Sequence, residues 1–335
     1  MPSTVTLAQY AMLEKHPLKK GIMLGIAQEG VVADIFSWRS TGGALSESGV
    51  RFDAVNEPDW LALGGAITTR SVQGKQLSYS VYQMALHIDV PRLLDTQNAT
   101  QLERQSTQQM SLAIKGAAYK LNDTFINGDQ SSDANSFEGI NKLVGELASS
   151  QSIDTGDITI ATHTDAHAYT FIQKLHLAMH RVEGHLPTAA FANSETLLAL
   201  EHLLMRLQLR GDDHDWVERA LEVDDPRRSL RTASTKPAFV YRKVPFYDLG
   251  VKADQTTNVM LNTYTEGSQS GDGSRIFFIK QSPEDLEGLS VEMPSFDEIG
   301  LLEDTDVLRW RLKATYGLAN WGPRSISKLY GFTAA

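Results

Sequence analysis

Histidines supply the metal-binding spacing in this sequence. His163 with His167, and His176 with His180, stand four residues apart. On a helix that spacing sets two imidazoles on one flank, where they can chelate a cation. A metal-dependent hydrolase is the activity such a helix would serve. The HExxH motif is absent, so the general base of a zinc protease is not supplied. At about 100° per residue the two pairs lie roughly 140° apart, on opposite flanks of an apolar stripe, and do not converge. That stripe is Ala168, Phe171, Ile172, Leu175, Met179 and Val182. Asp212-Asp213-His214-Asp215 lacks the ligand spacing of a calcium loop and reads as a solvated loop. There is no phosphate-binding P-loop, dinucleotide glycine fingerprint or Gly-x-Ser-x-Gly elbow. The chain has no cysteine, which excludes thiol nucleophiles, disulfides and thiolate metal sites. The expectation is a protein that is not an enzyme, with no catalytic residue, no metal and no cofactor.

Composition points the same way. The chain has 335 residues, 41% of them hydrophobic, enough for a large core. Its formal charge is −10, from 31 basic and 41 acidic side chains. Tight wrapping of nucleic acid needs clustered Lys and Arg and is disfavoured, but standing beside nucleic acid is not. No apolar run approaches the roughly 18 residues of a membrane span, and the N-terminus lacks a signal-type block. A soluble protein without a membrane partner is expected.

The elements divide the chain into regions. Thr6 to Glu14 reads as a short amphipathic helix ending before Pro17. Gly21 to Trp38 spaces its apolar residues too loosely for a self-contained helical unit, and reads as an arm that packs on something else. From Arg39 to Leu86, glycines and Pro58 punctuate two alternating stretches, Val50–Val55 and Leu77–Leu86, which predict a long two-stranded arm. Such an arm is not stable alone in water and must lie against a partner; a surface loop is the plainer alternative. Trp38 and Trp60 flank it, where a buried home in the same subunit is hard to find, and tryptophan so placed often anchors an interface.

Thr100-Gln101-Leu102-Glu103 has the form of a capping box. Met110, Ile114, Ala117, Leu121 and Phe125 then recur at three- and four-residue intervals, and Gly128 stands at the C-cap position. This predicts a helix of about 27 residues, near 40 Å long. From residue 157 strands (Asp157–Ala161, Thr188–Ala192, Phe239–Tyr241, Val259–Tyr264, Arg275–Ile279) alternate with helices (Ala166–Glu183, Ser194–Leu209), an α+β pattern. Gly211 to Lys236 reads as an exposed charged loop with a short helix. Strand alternation returns at Leu289–Met293 and Val307–Leu312. Trp310 and Trp321 lie in these apolar tail segments and read as core.

The order of these parts resembles the major capsid proteins of tailed bacteriophages, the Hong Kong 97-like family, over most of the chain. The resemblance is carried by Val50-Arg51-Phe52-Asp53-Ala54-Val55-Asn56-Glu57 at the start of the arm and Ala85-Leu86-His87-Ile88-Asp89-Val90 on its return. Phe125-Ile126-Asn127-Gly128-Asp129, Phe137-Glu138-Gly139-Ile140, Tyr316-Gly317-Leu318-Ala319, Pro323 and Leu329-Tyr330-Gly331 follow in the family's order. It implies an N-terminal arm (1–36), an extended β-hairpin loop (37–86), a peripheral domain with a long spine helix (87–150 and 285–335) and an axial domain (151–284). It implies homo-oligomerisation into hexamers and pentamers of an icosahedral shell around double-stranded DNA, assembled in the host cytoplasm and ending in the virion. Separate scaffolding and portal proteins, and in some cases cement proteins, would be the partners. The residues expected to meet neighbouring subunits are Trp38, Arg39, Arg51, Glu57, Trp60, Arg70 and Lys75. Some relatives join an arm lysine to a neighbour's asparagine; Lys75 and Asn320 are the pair to consider. An encapsulin-type nanocompartment of the same fold is the alternative, and a metal-dependent hydrolase a more distant one.

Overall fold

A computed structural model describes residues 5–61, 63, 66–67, 69–91, 99–160, 165–207, 238–266, 272–302 and 307–334. His163, the Asp212–Asp215 run, Trp216 and the charged loop of 211–236 lie outside the described residues, as do the side chains of Thr100 and Glu103.

The described N-terminal segment is mostly helical. After β1 (Val5–Thr6), α1 covers Leu7–Leu13, α2 Pro17–Glu29 and α3 Val31–Ile35. Pro17 opens α2 instead of merely ending α1, because a proline in the first helical turn has no N–H to waste. Ile22, Met23, Ile26 and Ala27 form its buried stripe. The loosely spaced apolar residues do not make a core alone; what they pack on is the chain's own long helix.

Then come β2 (Ser37–Ser40), a hairpin of β3 (Ser46–Arg51) and β4 (Lys75–Ser80), and β5 (Tyr82–Pro91). Strand pairing in the hairpin stops at Arg51 and Lys75. Phe52–Val55, expected to continue β3, does not, since Asp53, Asn56 and Pro58 are poor strand formers. The expected strand Leu77–Leu86 divides at Val81, where the chain leaves β3 and changes partner.

The long helix α4 spans Ala99–Asn127, 29 residues. Ala117, Leu121 and Phe125 are buried along its face, with Met110 and Ile114 packed at the edge. Gly128 and Gly139 then meet back to back, Gly139 N–H donating to the Gly128 carbonyl at 2.9 Å. A Cβ on Gly139 would stand 2.7 Å from Gly128 N and from the carbonyls of Thr124 and Ile126. That close approach is why both motifs around the helix end carry glycine. Helix α5 (Ile140–Gly145) follows.

The remaining elements are β6 (Ser152–Thr159), α6 (Asp165–Arg181), β7 (Ala189–Ala192), α7 (Ser194–Arg206), β8 (Phe239–Tyr241), β9 (Val244–Tyr247), β10 (Ser274–Ile279), β11 (Leu286–Ser290), β12 (Ser295–Leu301), β13 (Val307–Asn320) and β14 (Ile326–Thr333). Asn193 caps α7, accepting from Glu195 N–H at 2.9 Å. The expected strand Val259–Tyr264 is absent. Its Val259 and Met260 are buried, and their carbonyls accept from the Asn127 and Asn193 amides instead of from a neighbouring strand.

One sheet runs β1-β2-β11-β13-β12, with β5 also on β13. Ile88, Val90, Phe296, Leu312 and Ala314 turn inward. Asp89 with Arg309, and Asp297 with Arg311 and Lys313, pair across the other face. The second sheet runs β6-β14-β10-β7-β9-β8. Its central strands are buried on both faces: Ala190, Ala192, Ile276 and Phe278 join the core of α6 and α7, while Phe191, Phe277 and Ile279 join that of α4. Such strands read as continuous apolar runs. Strand β14, near the end of the chain, lies inside this second sheet between β6 and β10.

Candidate functional site

Among the described residues the histidines do not form a centre. His167 is exposed on α6. His176 stacks on Tyr241 with ring centroids 5.8 Å apart, and its Nε2 is 2.8 Å from the Tyr241 hydroxyl. Burial, then the charges of Arg242 and His180, push its pKa down to about 4. The His180 ring lies beside that of His185. Among the described residues no group of three or more His, Asp or Glu side chains is placed to hold a metal ion.

The hairpin is the feature that stands apart from the core, and its root is clamped at three points. Arg39 bridges Glu47 at 2.6 Å and the buried Glu287 at 2.7 Å, which holds its guanidinium above the ordinary range, the Glu287 hydrogen bond first. Tyr79 packs edge-on against Trp321 at 5.1 Å and donates to the Asn320 carbonyl at 2.9 Å. Burial and the Glu146 charge push the Tyr79 pKa up to about 12. Gly49 lies flat on Trp321, where a Cβ would approach the indole to 2.5 Å. Arg51, at the end of β3, is 2% exposed; it donates to Asp53 at 2.8 Å and to the Glu146 carbonyl at 3.4 Å.

Beyond the Arg51–Lys75 pair the character reverses. Trp60 is 103% exposed, and Val55, Leu63 and Ile67 each more than four-fifths exposed. Arg70 braces this loop, donating to Asp59 at 2.6 Å and to the Glu57 carbonyl at 3.3 Å. Large apolar side chains left in water at this density are unusual on a surface. The root therefore belongs to its own subunit, and only the distal part lies free of it.

The seven residues expected at subunit contacts accordingly separate into groups. Glu57, Trp60 and Arg70 share the distal loop, and Lys75 stands exposed at its return. Arg39 and Arg51 fasten the root. Trp38 is a correction: it is 0% exposed, edge-on to Phe36 at 5.6 Å and Tyr316 at 4.8 Å, in the core of its own subunit. Its burial follows from β2 pairing with β11, a parallel partner some 250 residues away that no local pattern announces. Asn320 is likewise fully buried, its side-chain oxygen held by Ser325, so its amide is not presented to Lys75 of a neighbour. The sequence reading missed Glu287 and Glu146 as root anchors. It also missed Leu63 and Ile67, whose signal was a cluster of apolar residues in a segment of turn-forming ones. Among the described residues no helix is long and apolar enough to cross a membrane.

No protein-family model and no curated protein matches this sequence. Solved structures do. A chain of Mycobacterium phage Bobi is similar over 90% of this chain and 89% of its own, with a TM-score of 0.55 at 12% identity. The capsid of a native GTA particle matches over 91% and 90%, with a TM-score of 0.53 at 13% identity. The SrpI encapsulin of Synechococcus elongatus PCC 7942 matches over 79% of each chain, with a TM-score of 0.52 at 15% identity. Two sheets, a 29-residue helix, a clamped projecting hairpin and these similarities together define an α+β chain with the Hong Kong 97-like fold.

Proposed function

We propose that this chain is the major capsid protein of a tailed bacteriophage, a structural protein without catalytic activity that assembles into hexamers and pentamers of an icosahedral shell. The observation that carries this reading is the distal hairpin loop, whose Val55, Trp60, Leu63 and Ile67 no described residue of the subunit covers. On a fold whose solved neighbours include a particle capsid and phage chains, neighbouring copies are the natural cover. In this reading residues 1–36 are the N-terminal arm, 37–86 the extended loop, 87–150 with 285–335 the peripheral domain, and 151–284 the axial domain. The net charge of −10 suits a container that holds DNA without sticking to it. Scaffolding and portal proteins would be separate chains, and assembly would take place in the host cytoplasm before the shell enters the virion.

Negative-stain electron microscopy of the purified chain, beside its size-exclusion profile, tests the reading. Closed shells, tubes or rings of five and six are expected. A monodisperse monomer under all assembly conditions would remove it.

The encapsulin reading has one observation in its favour. An apolar groove of about 460 Å³ runs between α2 and α4, lined by Pro17, Ile22, Met110, Ile114 and Phe296. Uniform small particles that purify with one resident protein in place of DNA would favour it.

A further inference from the structure

Asn127 and Gly128, at the end of α4, carry a reactivity that shell building does not use. In an Asn-Gly pair the glycine amide nitrogen reaches the asparagine side-chain carbon with least hindrance, because glycine has no Cβ. Packing imposes both residues here. A Cβ on Gly128 would collide with the Phe137 and Thr124 carbonyls. The Asn127 amide spends both of its N–H groups, one on Asp123 Oδ1 at 2.8 Å and one on the Val259 carbonyl at 2.8 Å. Two donors on so short a side chain are what an asparagine amide supplies. The same geometry holds the reaction off. Gly128 is buried, and its N–H donates to the Thr124 carbonyl at 2.8 Å. A nitrogen whose proton is held in that bond is not free to lose it. The two bonds on the Asn127 amide keep its side chain from turning toward that nitrogen.

We propose that Asn127–Gly128 is a deamidation site gated by the fold: silent while the end of α4 is closed, reactive when it opens, and one-way in its effect. In the open chain the Gly128 nitrogen gives its proton to hydroxide and attacks Asn127 Cγ. The new C–N bond closes a five-membered imide, the Cγ–Nδ2 bond breaks, and ammonia leaves with a proton taken from water. Water then opens the imide at either carbonyl, giving aspartate or isoaspartate. The net change is amide and water to carboxylate and ammonium. Neither product recloses the site. Aspartate sets a carboxylate where two donors stood, against the Asp123 carboxylate and the Val259 carbonyl. The Lys252 ammonium, 3.1 Å from Asp123, offsets only one of the two charges. Isoaspartate adds a carbon to the backbone just before Gly128, whose carbonyl must still meet Gly139 N–H. Chains that linger unfolded are thereby withdrawn from the pool able to fold.

The wild-type chain tests the gate without any substitution. It is held in mildly alkaline buffer, native in one sample and unfolded in urea in the other. Mass spectrometry then follows the peptide that spans residue 127, with isoaspartate scored separately. Conversion in the native sample should be slower by about a hundredfold or more, since it waits on opening of the helix end. Equal rates would overturn the proposal. The urea sample is next refolded at intervals, and folded chains are separated from the rest by size exclusion. The converted residue should be confined to chains that fail to refold; the same proportion in the folded fraction would overturn the one-way step. Asn127→Asp and Asn127→Ala, made directly, give a second reading that does not depend on refolding yield. Asn127→Asp should unfold at lower denaturant than Asn127→Ala, which removes the donors without adding a charge, or should fail to fold where Asn127→Ala folds. An Asn127→Asp chain as stable as the wild type would also overturn the one-way step.

Discussion

Trp38 and Trp60 stand 22 residues apart and behave as different kinds of residue. Trp38→Ala removes a fully buried indole from an aromatic cluster and should cost about 3–5 kcal/mol of subunit stability, read by denaturant unfolding. Trp60→Ala should change that stability by less than about 0.5 kcal/mol, as for other exposed positions. Its effect should fall on the yield of assembled particles, measured by sedimentation. A large stability loss at Trp60 would place it in the subunit core and weaken the proposed contact. His176 provides a second test. Its ring is kept neutral down to about pH 4, whereas in the unfolded chain it takes a proton near its ordinary value of 6.5. The unfolded state therefore binds more protons between those values. Its contribution is present above about pH 6.5 and is lost as pH falls toward 4, amounting to about 1 kcal/mol for a ring still partly open to solvent. His176→Gln should flatten the fall of stability over that window; an unchanged slope would mean that other groups carry it.

At the scale of elements, the long helix and the motifs at its end were plainly written in the sequence. Helix α4 shows a stripe at helical intervals and ends on a glycine whose neighbourhood forbids any other residue. Gly139→Ala would drive a methyl group into three backbone atoms, and about 2–4 kcal/mol of destabilisation is expected. Leu121→Ala, on the buried face of the same helix, should cost about 2–5 kcal/mol. What stayed hidden were elements set by distant pairing. Gly21 to Trp38 spaced its apolar residues too loosely for a self-contained unit because they complete a core shared with α4. The Val259–Tyr264 segment read as a strand, but two asparagine side chains take its first carbonyls. Of the hairpin, the existence was legible, but its first strand lies mostly before Val50–Val55 and its second ends at Ser80. Its division into a clamped root and a free distal loop was not legible, because Glu146, Glu287 and Trp321 come from elsewhere in the chain.

For the whole molecule, the clamps make the hairpin a rigid lever on the body, with its apolar residues at the far end. Replacing residues 54–70 with a short Gly-Ser link should leave the unfolding midpoint of the subunit nearly unchanged and abolish shell formation in electron micrographs. Normal shells from that variant would show that the loop is dispensable. The order in which strands enter the sheets has a consequence for synthesis. β13 lies between β11 and β12 in the first sheet, and β14 lies between β6 and β10 in the second. Both come after residue 306, so neither sheet can close while a ribosome is still making the first nine-tenths of the chain. At about 5–20 residues per second that leaves the nascent chain without either finished sheet for roughly 15–60 s. Throughout that time the hairpin's root clamps at Asn320 and Trp321 do not yet exist, so the arm cannot be aimed at a neighbour. In the proposed assembly, synthesis of β13 and β14 thus acts as a built-in delay before a subunit can join others.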